Sequence, residues 1–212
     1  MSLGSLIDGG RILPMTRWGE PVMHSPTEPV TEFDDDLRAL VRDMYTTMRA
    51  SGGVGLAATQ VGIGLAVFVF HCPDDREAYQ YGAVCNPMLE LPGLRERRLD
   101  VAAEGCLSLP GAFHELARPD HAICRGHDPF GRPVTVDGTG LLARCLQHET
   151  DHLSGIVFGD RLSSRARREL YRQHASLAHR YHDRWPAEPG TGPSPASRTL
   201  DTAVAAPGGT GA

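Results

Sequence analysis

The stretch "GTGLLARCLQHETDHLSG", residues 138–155, decides the architecture, because the apolar period changes from Thr139 onward. Leu142, Cys145, Leu146, Glu149, His152 and Leu153 fall at three- and four-residue steps, which places them on one stripe of a helix that Gly155 is set to end. On such a helix, positions four apart lie one above the other. His148 and His152 can therefore aim two imidazole nitrogens at one ion, with Glu149 beside it. In a chain with 10 histidines the H-E-x-x-H pattern arises by chance in about 2–3% of cases, so a metal-seating helix is the better reading.

Upstream, "TEFDDDLRALVRDMYTTMRASGG" (31–53) predicts a second helix. Leu37, Leu40, Val41, Met44 and Met48 keep the helical step, acids crowd its start, and Ser51, Gly52 and Gly53 end it. "LAVFVF" (65–70) and "AVCNP" (83–87) read as short strands, and 97–103, 118–127 and 132–137 as β-structure around an "HDPFGRP" turn. Helices flanking a β-rich middle make the fold class α+β. Residues 163–184 give an arginine-rich helical pattern, and the last 28 residues, 185–212, are rich in Pro, Gly, Ala, Ser and Thr, which predicts a disordered tail. The domain reading is a catalytic unit over 1–162, the arginine-rich helix and the tail.

With 212 residues and 41% hydrophobic content, the chain can bury one good core. No stretch approaches the roughly 18 consecutive apolar residues of a membrane span, and "MSLGSLIDGGRILPM" lacks the features of a secretion signal, so a cytoplasmic protein is expected. A net charge of −5 disfavours a general nucleic-acid surface, although all 21 basic residues are arginine. Cys72, Cys85, Cys106, Cys124 and Cys145 are widely spaced with no C-x-x-C, which argues against disulfides and against a four-cysteine zinc site.

Two histidines do not complete a hydrolytic metal site, which takes three protein ligands and one open position. Cys145 lies on the same face, but it is seven residues from His152, about 10.5 Å along a straight helix, too far for bonds of about 2.0–2.3 Å. The better donor is Cys106 in "EGCLSLPG" (104–111), at the end of an expected strand that can approach the helix from elsewhere.

Taken in order, "GVGLAATQ" (53–60), "EGCLS" (104–108) and "QHETDH" (147–152) resemble the three motifs of peptide deformylases, over about Arg11 to Leu162. The resemblance implies a fold of small antiparallel or mixed β-sheets around a central H-E-x-x-H helix, with N- and C-terminal helices. It implies that Cys106, His148 and His152 bind one metal ion. Water at the fourth position, deprotonated, would attack the formyl carbon of formyl-methionyl nascent peptides, and Glu149 would act as general base and then acid. The Gln60 side-chain amide and the Leu107 backbone N–H would steady the oxyanion. Gly55 would pair with the peptide backbone, and Val54, Leu141 and Cys145 would wall the methionine pocket. The donor set alone suggests zinc, whereas the resemblance implies Fe2+, with Ni2+, Co2+ or Zn2+ able to substitute. Glu104 is expected to pair with an arginine such as Arg118. Arg144, where many relatives carry an aliphatic residue, either alters the pocket rim or points to solvent.

Two other readings compete. A zinc endopeptidase would draw its third ligand from downstream, where Glu169 and His174 lie in no recognisable spacing, and "EGCLS" would go unexplained. A noncatalytic, ribosome-associated relative would not need Gln60, Cys106, Glu149 and both histidines intact. Docking near the ribosomal exit is implied for related enzymes through a C-terminal helix, for which Arg165, Arg167, Arg168 and Arg172 could meet rRNA phosphates; a charge run is more often a solvated face. No other nucleic-acid partner and no membrane is expected.

Overall fold

A computed structural model of the chain describes residues 3–181 and 185–186. Helix α1 spans Asp35–Ala50, and its start is fixed by Asp34, whose side chain accepts from the Leu37 N–H at 2.9 Å. Seven strands follow: β1 Gly55–Ala57, β2 Val67–Pro73, β3 Tyr79–Glu90, β4 Leu99–Gly105, β5 Phe113–Pro119, β6 His121–His127 and β7 Pro133–Thr139. Helix α2 is Gly140–Leu153 and α3 is Ser164–Leu177. Strands β1-β2-β3-β6-β7 form one sheet in that order and β4-β5 a second, with every neighbouring pair antiparallel.

Alternation along β2 divides the interior. Val67 and Val69 face α1, where they pack with Val41, Met44, Tyr45 and Met48. Phe68, Phe70 and Cys72 face α2 and join Leu142, Cys145 and Leu146. A third cluster lies under α3, where Leu170, fully buried, meets Leu109, Leu116 and Phe158 beside Cys106. Helix α2 thus has the large sheet on one side and the β4–β5 hairpin on the other. Eleven of its residues are buried, including Arg144, Gln147, His148, Glu149 and Asp151, so it is not the one-sided amphipathic helix that its stripe predicts. Its end requires Gly155, at φ +73, where a Cβ would come within 2.8 Å of the His24 backbone.

Three expectations need correction. The β-structure expected over 118–127 divides between two strands, because Pro119 ends β5 and the chain reverses at Asp120 before β6. Helix α3 ends at Leu177, followed by a short 3-10 turn over Ala178–Arg180. Trp185, assigned to the tail, is buried in the α1-side core, and its carbonyl accepts from the Met15 N–H at 3.0 Å; Pro186 is buried as well. Residues 182–184 of the predicted helix and 187–212 of the tail lie outside the described residues. Among the described residues no helix is long and apolar enough to cross a membrane.

Candidate metal centre

Strand β4 ends at Gly105, and the chain turns at once, with the Leu109 N–H donating to the Cys106 carbonyl at 2.9 Å. That turn carries the Cys106 thiol onto α2. Cys106 Sγ lies 3.3 Å from His152 Nε2, which lies 3.1 Å from His148 Nε2. All three donor atoms fall within 4.8 Å of one another, and all three residues are buried. Bonds of 2.0–2.3 Å in tetrahedral array would set such donors roughly 3.3–3.6 Å apart, so these side chains fit a single ion.

The proton on His148 is located by its neighbour. Glu104 Oε1 is 2.7 Å from His148 Nδ1, and a carboxylate can only accept, so Nδ1 carries the hydrogen and Nε2 presents its lone pair. Burial alone would raise the Glu104 pKa, but hydrogen bonds from Arg118 and His148 reverse this and hold the carboxyl well below its ordinary value. Arg118 grips it with two bonds of 2.7 Å, from Nε to Oε2 and from Nη2 to Oε1, as the sequence led us to expect. Arg118 Nη1 also donates to Asp151 Oδ2 at 3.0 Å, and Asp151 in turn receives the Arg161 guanidinium.

Glu149 follows His148 on the helix and faces β1. Burial pushes its carboxyl up to about 7, against the opposing charge of His148. Its Oε2 and the Nδ1 of His152 are buried with no hydrogen-bond partner among the described residues, the signature of polar atoms arranged for a ligand or solvent. Gly55 touches the same carboxyl so closely that a Cβ there would collide with Glu149 Oε1 and come within 2.7 Å of Cys145 Sγ. Gln60 sits on a 3-10 turn, Ala58–Val61, and its Oε1 accepts from the Ala57 N–H at 2.8 Å. This fixes the amide so that Nε2 points to Cys106 Sγ, 3.5 Å away. Leu107 is next to Cys106 in the chain and its side chain packs against Gly53. Cys145 Sγ lies 3.6 Å from the Val54 carbonyl. Val54 and Leu141 are half-buried against the same cluster.

Cys106, His148 and His152 converge, with Glu149 and Gln60 beside them and Gly55 against the Glu149 carboxyl; Val54 and Leu141 pack on the cluster that holds Cys145, and Leu107 packs on Gly53. The structure leaves out the endopeptidase alternatives, since His174 Nδ1 is bonded to the Pro110 carbonyl at 3.0 Å and Glu169 is exposed. Arg144 occupies neither the pocket rim nor solvent. It is 5% exposed and donates to Glu104, Asp100 and Leu116. Asp100, Asp151 and Arg161 were missed by sequence reasoning; the four-residue step from Arg144 to His148 was the available signal that this arginine shares a helix face with a ligand.

The polypeptide deformylase family pattern matches residues 12–168. The chain is 51% identical over 173 residues to "Peptide deformylase 1" of Streptomyces avermitilis, covering 81% of this chain and 80% of that one. It is 50% identical over 165 residues to "Peptide deformylase 2" of Streptomyces coelicolor, covering 77% and 90%. Among solved structures it is similar to the peptide deformylase of Ehrlichia chaffeensis, with a TM-score of 0.72, 31% identity, and coverage of 79% of this chain and 97% of that one. It is also similar to that of Synechococcus elongatus in complex with actinonin, with a TM-score of 0.68, 35% identity, and coverage of 77% and 86%.

Replacing Glu104 by Ala leaves the Arg118 and Arg144 guanidinium groups short of an anion and His148 free to rotate. Metal affinity should fall about 10–100-fold, measured as metal content at equilibrium with a graded chelator; unchanged content would show that Glu104 does not orient the ligand.

Proposed function

The chain belongs to the polypeptide deformylase family, and we infer from this and from the site that it hydrolyses the formyl amide of formyl-methionyl nascent peptides, releasing formate. The observation that carries the reading is the convergence of Cys106 Sγ with the two histidine Nε2 atoms beside the Glu149 carboxyl and the Gln60 amide.

Cys106, His148 and His152 would hold the metal. When bound there, a divalent ion supplies Lewis acidity, which polarises a carbonyl oxygen and makes a water more acidic. Glu149 takes the proton of the attacking water and delivers it to the departing amine nitrogen, a pair of tasks suited to a carboxyl held near neutrality. Water oxygen bonds to the formyl carbon, the C–N bond breaks, and formate and a free amine result. As the formyl carbon becomes tetrahedral, Gln60 Nε2 and the Leu107 N–H donate to the developing oxyanion; losing one such donor typically costs about 10²–10³ in rate.

Substrate binding follows from the position of β1 at the edge of its sheet. An extended peptide can add to that open edge, taking backbone hydrogen bonds that depend little on its sequence. Gly55 keeps this edge close to Glu149, and Val54, Leu141 and Cys145 form apolar walls for the methionine side chain. We place the reaction in the cytoplasm, where nascent chains emerge. Docking of α3 near the ribosomal exit extends the proposal. Arg165, Arg168 and Arg172 are exposed and share one face, while Arg167 is half-buried and pairs with Asp160 at 3.4 Å. Solvation alone is the plainer role of that face. Ribosome co-sedimentation unchanged by R165E/R168E/R172E would leave it solvated.

The nickel-loaded protein should release formate from formyl-Met-Ala-Ser, and Glu149→Ala should slow this about 10²–10⁴-fold while retaining metal; equal release by the two proteins would overturn the assignment. We further propose Fe2+ as the working ion. A thiolate-bound Fe2+ site is open to oxidation of both metal and sulfur, so activity should fade in air with iron and persist with nickel. Equal, air-stable activity with zinc would contradict the choice of iron.

A further inference from the structure

Arg144 has no task in the reaction just described, yet it is among the most constrained side chains in the molecule. It precedes His148 by one helical turn, and its side chain is 6% accessible. Nη1 donates to Glu104 Oε2 at 3.0 Å and to the Leu116 carbonyl at 2.9 Å, while Nη2 donates to the Asp100 carbonyl at 2.9 Å and to Asp100 Oδ2 at 3.1 Å. Asp100 and Glu104 belong to β4, and Leu116 to β5. Every one of these acceptors is therefore on the hairpin whose first strand runs directly into Cys106.

The arginine thus stands on the helix that carries two of the proposed ligands and holds the strand that delivers the third. Resting on the metal-site reading above, we propose that Arg144 is a positioning residue for the metal, setting the distance between the Cys106 thiolate and the two imidazoles. It does so in two ways. The Asp100 and Leu116 contacts clamp the hairpin to α2. The Glu104 contact occupies the carboxylate oxygen not bonded to His148, so the plane of Glu104, and with it the His148 ring, has one orientation.

Arg118 alone could satisfy Glu104, which it already meets with two bonds of 2.7 Å. What Arg144 adds is the link to Asp100, at the far end of β4 from the ligand. A planar guanidinium can serve four acceptors in a fixed fork, whereas an ammonium on a flexible stem can reach only some of them at once. An aliphatic side chain at this position would remove all four of these bonds, including the one to the buried Glu104 carboxylate, and the hairpin would relax away from the helix.

The test uses Co2+-loaded protein in three variants: Arg144→Leu, Arg144→Lys and Asp100→Asn. Two quantities are read, the rate of Co2+ release to a chelator and the visible absorption of the fully loaded site, including its thiolate charge-transfer band. Arg144→Leu should release metal about 10–100-fold faster, with Arg144→Lys intermediate. Asp100→Asn, at a half-exposed site, should move in the same direction by less. The absorption bands should shift in every variant, a change that loss of fold stability alone would not produce. Release rates and spectra equal to the parent in Arg144→Lys and Asp100→Asn would overturn the proposal, whatever the fate of Arg144→Leu. A parent that takes up no Co2+ would instead overturn the metal site on which the proposal rests.

Discussion

Three donor atoms must meet at one point although 46 residues separate Cys106 from His152, and they must meet in an interior that penalises every polar group it admits. The rest of the structure follows from how this is arranged. Helix α2 brings His148 and His152 into line by its own period, but Cys106 arrives on a separate hairpin, so something must register the hairpin against the helix. That register is electrostatic. Glu104 sits between Arg118, Arg144 and His148, and Asp151 between Arg118 and Arg161. Removing one partner from such a buried set leaves another charge uncompensated, which commonly costs about 3–5 kcal/mol. The network therefore tolerates little displacement of either element.

The same packing places Glu149, Gln60 and Gly55. Glu149 faces β1, and Gly55 is the residue that allows strand and carboxyl to come so close. An edge strand, a buried carboxyl and an amide pointing at the thiol thus meet at one side of a helix that is mostly enclosed. The large sheet contributes the edge strand β1, and the small sheet leads into Cys106.

Helix α1, strand β2 and helix α2 were legible because their apolar spacing is local and strong. The convergence of Cys106, His148 and His152 was legible from two histidines at helical spacing plus a third motif far away. Other features depend on partners remote in sequence. Strand β1 is three residues long and exists only because β2 pairs with it. Arg144 and Asp151 look like solvent-facing members of an amphipathic helix until the β4–β5 hairpin covers them. Trp185 lies in a Pro- and Gly-rich context that suggests a tail, yet its indole fills the α1-side core. In each case composition pointed one way and a distant contact decided the other.

The claim on which the account turns is that a thiolate from the hairpin and two imidazoles from the helix share one ion. X-ray absorption at the metal edge of the zinc-loaded protein tests it directly. The account predicts one sulfur at about 2.3 Å and two imidazole nitrogens at about 2.0–2.1 Å, with the sulfur lost in Cys106→Ser. A shell of nitrogen and oxygen alone in the parent protein would contradict it.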